Sequence, residues 1–265
     1  MELILEQIRS HGAQTLSSLR ALGKLSLFVM DATMLCFHAP FKWKRIVEEM
    51  FHIGVKSVFV VCLTAFFTGM VLGLQGYYTL SRFGSEGLLG GAVALTLIRE
   101  LGPVLTALMV TGRAGSFISS ELGSMRISEQ IDALYTMNIN PIKYLVSPKI
   151  IAAVLAVPLL TAIGDMVGIF GGYITGVVML DLNSGVFINN MISSTDMSDV
   201  VNGLIKPVFF GYVLAAISSY RGFFCDSLRT GGKGSEAVST ATTSSVVISS
   251  VTILISDYIL TAFLM

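Results

Sequence analysis

Charge is what this sequence has least of. Lys, Arg, Asp and Glu make up 13% of its 265 residues, about half the share usual in a soluble domain. Hydrophobic residues supply 53% of the chain and mean hydropathy is +0.77, which points to lipid as the solvent. The formal net charge is zero, so there is no basic surplus of the kind nucleic-acid binding needs. Cysteine is also scarce. Cys36, Cys62 and Cys225 lie far apart and form no CxxC pair, so they read as small buried hydrophobes. His11, His38 and His52 all precede the first apolar run, which leaves no histidine for chemistry inside a membrane. The stretch Gly231-Gly-Lys-Gly234 falls short of a phosphate-binding loop. Ser227 stands where the first glycine belongs, and Gly234 replaces the hydroxyl that would hold Mg²⁺. No nucleotide site, catalytic residue or metal site is expected on this chain. The first fifty residues are mixed in character and lack the basic start and apolar core of a cleavable signal.

The apolar residues form continuous runs rather than alternating ones, which excludes a β-barrel. Helices satisfy their own backbone in lipid. Five runs, at about 55–78, 88–111, 148–179, 201–222 and 244–265, each reach the ~20 residues needed to span. The expected fold is therefore all-α, with two parts. Residues 1–50 form an N-terminal interfacial segment, and residues 51–265 a five-helix transmembrane domain. In the first part Leu16, Leu19, Gly23 and Leu27 recur at helical spacing, with Arg9, Arg20 and Lys24 on the polar side. The run Leu25–Phe37 carries Asp31 and is too short to span, so it is expected to dip into one leaflet.

Basic residues set the orientation. With the N-terminus in the cytoplasm, Arg9, Arg20, Lys24, Lys42, Lys44, Arg45 and Lys56 lie inside. So do Arg113, Arg126, Lys143, Lys149, Arg221, Arg229 and Lys233, and only Arg82 falls outside. The C-terminus is then expected outside, at the far membrane face. Glycines repeat at four-residue spacing at Gly69 and Gly73 and at Gly164, Gly168, Gly172 and Gly176. Such patterns let helices approach closely, within one chain or between two.

Charges inside the runs carry the functional signal, because each costs about 2.5–3.5 kcal/mol at the bilayer centre. Arg99-Glu100-Leu-Gly-Pro103 places two of them beside a proline, and Lys206-Pro207 repeats the combination. One reading is a substrate site in which Glu100 pairs with Lys206 and Arg99 holds an anion. The other is an internal ion pair that fixes packing. The span boundaries put Lys206 about 10 Å nearer the outer face than Arg99. Residues 119–138 read as one amphipathic cytoplasmic helix, with Ile127, Ile131 and Leu134 on one face, suited to docking a soluble partner. Asp165 and Asp257 open two alternatives, an ion-coupled secondary transporter and an aspartyl intramembrane protease. The local sequences fit the protease patterns poorly, and the lack of an internal repeat argues against an inverted-repeat transporter.

Five segments resemble the MlaE (YrbE-type) permease family over nearly the whole chain. They are Gly69-Met-Val-Leu-Gly-Leu-Gln-Gly76, Arg99-Glu-Leu-Gly-Pro103, Gly112-Arg-Ala-Gly-Ser116, the run Glu121–Gln130 and Asp257-Tyr-Ile-Leu-Thr-Ala262. The resemblance implies a permease subunit, not an enzyme, of a phospholipid-moving ABC transporter in the bacterial inner membrane. Such a transporter supports outer-membrane lipid asymmetry. The resemblance implies a homodimer on cytoplasmic ATPase subunits that carry the ATP and Mg²⁺. It also implies a periplasmic hexamer of MCE domains and, in some members, a STAS-domain subunit. By motif, Arg99, Glu100 and Lys206 would line the substrate cavity. Glu121, Arg126, Glu129, Gln130 and Leu134 would belong to the coupling helix at the ATPase.

Overall fold

The structure is a computed structural model that describes residues 20, 23–36, 43–226 and 234–264. Expectations that rest on Arg9, Leu16, Leu19 or Gly231–Lys233 lie outside the described residues. Eight helices carry the described chain. They are α1 (23–36), α2 (Trp43–Ser81), α3 (Glu86–Ile127), α4 (Gln130–Thr136), α5 (Ile142–Met179), α6 (Ser184–Ser194), α7 (Met197–Phe223) and α8 (Ser235–Leu264). Among the described residues five of them, α2, α3, α5, α7 and α8, are long and apolar enough to cross a membrane. The chain is a polytopic all-α membrane protein.

Each spanning helix begins earlier or ends later than its apolar run, because polar residues continue the same helix. Residues 43–50, expected in a separate interfacial part, form the first turns of α2. An elbow at Gly54 and a 3₁₀ turn at Val55–Ser57 re-aim that helix before the apolar stretch. Arg113 on α3 holds the elbow. Its guanidinium donates to the carbonyls of His52 and Ile53 and, at 2.8 Å, to the Ser57 hydroxyl. A helix end left inside a bundle needs such partners.

The glycine pattern is used within the chain. Gly69 on α2 lies so close to α5 that an added Cβ would fall 1.8 Å from the Gly168 carbonyl oxygen. Gly73 meets Gly172, and Gly171 meets the Phe66 carbonyl, in the same crossing. Helix α1 packs on the bundle rather than lying free. Phe28 is 4% exposed and stacks edge-on against Tyr220 of α7, and the Thr33 hydroxyl bonds the Tyr212 hydroxyl at 2.6 Å. Large apolar side chains such as Phe59, Phe67, Met166 and Phe170 stay exposed around the outside, as lipid contact requires.

The segment over 119–138 is not one helix. Helix α3 runs to Ile127, the chain turns through Glu129 in the left-handed region (φ 58°), and α4 starts at Gln130. The Ser128 and Glu129 N–H groups close the end of α3 on the Ser124 and Arg126 carbonyls. No glycine marks this stop, so periodicity runs through it.

Candidate functional site

The site forms where α3, α7 and α8 meet. Residues Leu97–Leu101 of α3 form a π-turn, and it carries Arg99 and Glu100. Such bulges re-aim side chains that a regular helix would direct elsewhere. Pro103 has no N–H to give the Arg99 carbonyl four residues earlier. Lys206 of α7 supplies the missing donor, with Nζ 2.8 Å from that oxygen. Its other donors go to Glu100 Oε1 at 2.9 Å and to the Thr261 hydroxyl of α8 at 2.8 Å. The Thr261 hydroxyl in turn donates to Glu100 Oε2 at 3.2 Å. Asp257 Oδ1 approaches Lys206 Nζ at 3.6 Å. Lys206 is 3% exposed, and an ammonium has three N–H groups. All three are occupied, so Lys206 holds the site together from its place in the cleft wall.

Arg99 differs from its expected role in another way. Its Nε and one Nη donate to Asp199 Oδ1 at 2.9 and 2.6 Å. Asp199 Oδ2 accepts the Asp196 backbone N–H at 3.1 Å, as half of the capping box that starts α7. Asp199, in the first turn of α7, therefore orients the arginine. The remaining edge of the guanidinium has no protein acceptor among the described residues, and the Arg99 side chain is 41% exposed against 8% for Asp199. It faces a cleft of about 430 Å³, whose other walls include Ser198, Asn202 and Leu264.

The 10 Å depth gap expected between Arg99 and Lys206 is absent, since they touch. Gly203 packs against the Ile98 carbonyl, where an added Cβ would sit 2.4 Å away, and this fixes α7 level with the Arg99 turn. The start of α3 is covered by protein. Helix α6 packs there, with Phe187 against Gly90 and the Asn190 side chain accepting the Gly91 N–H at 3.0 Å.

The two membrane aspartates are not a pair. Asp165 abuts Gly102, behind the π-turn, and Asp257 faces Lys206. Among the described residues no hydrogen bond joins them, so the shared proton an aspartyl protease needs has no geometric support.

At the opposite end of the bundle, the residues expected to couple to a partner divide. Lys149 of α5 is buried and binds Glu49 at 2.6 Å and Glu121 at 2.5 Å. Arg126 bridges Asp132 at 2.8 Å and Asp226 at 2.9 Å, and Leu134 packs on the core. Glu121 and Leu134 thus face inward, Arg126 is held in ion pairs at the surface, and Glu129 and Gln130 stay exposed. Tyr135 and Met137 are exposed beside them. Sequence pattern had assigned these two no role. Glu121→Gln should lower thermal stability in detergent by about 1 kcal/mol, the scale of a partly exposed ion pair. Glu129→Gln should change it by less than about 0.5 kcal/mol.

Residues 46–263 match the family described as Permease MlaE. The chain belongs to the MlaE permease family. A probable ABC transporter permease protein of Rickettsia bellii is 43% identical over 259 residues, 98% of each chain. The intermembrane phospholipid transport system permease protein MlaE of Haemophilus influenzae is 38% identical over 263 residues, 99% of this chain and 98% of that one. This MlaE-family permease is thus the membrane subunit of an ABC transporter, a class that works with an ATPase. Its π-turn, Arg99 and Glu100 lie inside the matched region.

Proposed function

We propose that this permease moves a glycerophospholipid between the bacterial inner membrane and a periplasmic MCE-domain carrier, supporting outer-membrane lipid asymmetry. The observation that carries the reading is the free edge of the Arg99 guanidinium at the mouth of the cleft. A planar fork binds two phosphate oxygens at once, and Asp199 holds it in place. The Haemophilus relative is named for intermembrane phospholipid transport, which supports the same cargo. The cleft is the size of a headgroup and too small for two acyl chains, so the tails need walls from elsewhere. A second copy of the chain, in the homodimer the family resemblance implies, would supply them. Helix α8 is the least covered of the spanning helices and leaves Val247, Val251 and Tyr258 exposed for such a contact.

The basic end, with its exposed Glu129, Gln130, Tyr135 and Met137, lies in the cytoplasm and docks the ATPase subunits, which bring ATP and Mg²⁺. A STAS-domain subunit joins on that side and an MCE hexamer on the other, with the C-terminus periplasmic. ATP-driven closure then reaches the site through α3, the one helix that carries both Arg99 and the Lys149 partner Glu121.

The test is ATP-dependent transfer of labelled phospholipid by the complex reconstituted in proteoliposomes. Arg99→Ala and Glu100→Ala should each reduce transfer at least tenfold, about 1.4 kcal/mol, with the complex still assembled. Full transfer by the Arg99 variant would refute the site assignment.

A further inference from the structure

The charge count of the cleft says more about its ligand than the arginine alone. Two cations, Arg99 and Lys206, face two carboxylates, Glu100 and Asp199, on its walls. That set sums to zero. Asp257, 3.6 Å from Lys206, moves it towards negative. The surplus of positive charge that Arg99, Glu100 and Lys206 suggest by themselves is cancelled by Asp199, a hundred residues from Arg99 in the chain.

A phosphate arriving at Arg99 therefore meets a fork already half neutralised, with carboxylates around it. A headgroup whose only charge is the phosphate gains one favourable contact and meets uncompensated acids. A headgroup that carries an ammonium a few atoms from its phosphate brings the missing cation. Glu100 can receive it. Among the described residues its Oε2 accepts only the Thr261 hydroxyl, at 3.2 Å, and its side chain is 33% exposed. The Asn202 and Ser198 side chains on the cleft wall offer neutral oxygens to the remaining N–H groups.

We infer that the cleft selects zwitterionic, amine-bearing phospholipid headgroups over anionic ones, with Asp199 and Glu100 setting the preference. This rests on the proposal that the cleft holds a headgroup. Like charges brought together at a binding site are rejected, and a single partly screened charge interaction is worth up to about fivefold in affinity.

Native mass spectrometry tests this on the purified full chain in nanodiscs of equimolar phosphatidylethanolamine and phosphatidylglycerol. The wild type should retain the ethanolamine lipid over the glycerol lipid by about fivefold. Asp199→Asn should bring the ratio close to one, by removing one of the negative charges around the arginine. Asp257→Asn, which leaves the α7 capping box intact, should move it in the same direction and covers the case in which the Asp199 variant fails to fold. Equal retention by the wild type, a preference for the glycerol lipid, or ratios unchanged in the variant that folds would overturn the inference. Arg99→Ala separates this from the underlying proposal. If it leaves total retained lipid unchanged, the cleft is not the headgroup site at all. If it lowers retention and the wild-type ratio is even, only the selectivity fails.

Discussion

Replacing Lys206 by methionine should destabilise the permease by about 3–5 kcal/mol, the cost of removing one partner from a buried ionic cluster. Lys206 is 3% exposed and satisfies the Arg99 carbonyl, Glu100 and Thr261 at once. Without it, Glu100 and Asp257 face each other with no cation, and the carbonyl that Pro103 leaves open has no donor. The thermal midpoint in detergent should fall steeply, and purified yield with it. Adding Glu100→Gln to Lys206→Met should recover part of the loss, because it removes a charge the first change stranded. Two residues in one network are not additive. Arg99→Ala should cost less stability, since Arg99 is 41% exposed and Asp199 keeps the Asp196 N–H. Two neighbouring cations thus separate by readout. Loss of Lys206 affects folding first, and loss of Arg99 affects transfer first. Equal thermal midpoints for the wild type and Lys206→Met would show that the network is not what holds α3, α7 and α8 together.

The second large effect concerns one methyl group. Gly69→Ala places a Cβ 1.8 Å from the Gly168 carbonyl oxygen, a backbone atom with no side-chain freedom to yield. Helices α2 and α5 must move apart, at a cost of about 3 kcal/mol or more. In lipid that contact has no hydrophobic driving force to replace it. Gly168→Ala should be milder, because its Cβ would meet the Ala65 carbonyl at 3.1 Å and a Leu97 side chain that can adjust. Gly112→Ala has open space within 4 Å and no left-handed backbone. It should be neutral or stabilising by up to about 1 kcal/mol. Thermal midpoints of the three variants check this order. If Gly69→Ala matched Gly112→Ala, the close crossing of α2 and α5 would be wrong.

The spanning helices were legible because lipid imposes a simple rule on sequence, a continuous apolar run with few charges. Their ends were less legible, because Gly112-Arg-Ala-Gly-Ser116 and the serine-rich start of α8 lower hydropathy without stopping a helix. The break at Glu129 carries no glycine or proline, so pattern alone joined α3 to α4. At the site, Arg99, Glu100 and Lys206 stood out because the bilayer should have excluded them. Their pairing did not follow from depth, because the ends of the apolar runs do not mark the ends of the helices, and α7 starts at Met197, before its run. Asp199 carried no such signal. It sits in a polar stretch with Asp196, where an acid costs nothing, and only the packing of α7 against the π-turn brings it to Arg99. Thr261 was hidden for a similar reason, since one hydroxyl in an apolar helix bonds its own backbone as readily as a neighbour. The sequence therefore exposed the charges that needed an explanation and concealed the ordinary residues that supply it.

Central to this account is the claim that the cleft between α3, α7 and α8 holds a phospholipid headgroup. Photocrosslinking of a phospholipid with a photoreactive headgroup, followed by peptide mapping, tests it directly. Adducts should concentrate at 198–206 and 261–264, beside the cleft, and fall sharply in Arg99→Ala. Adducts spread evenly over the exposed faces that carry Phe59, Phe67 and Phe170, and unchanged by Arg99→Ala, would contradict it.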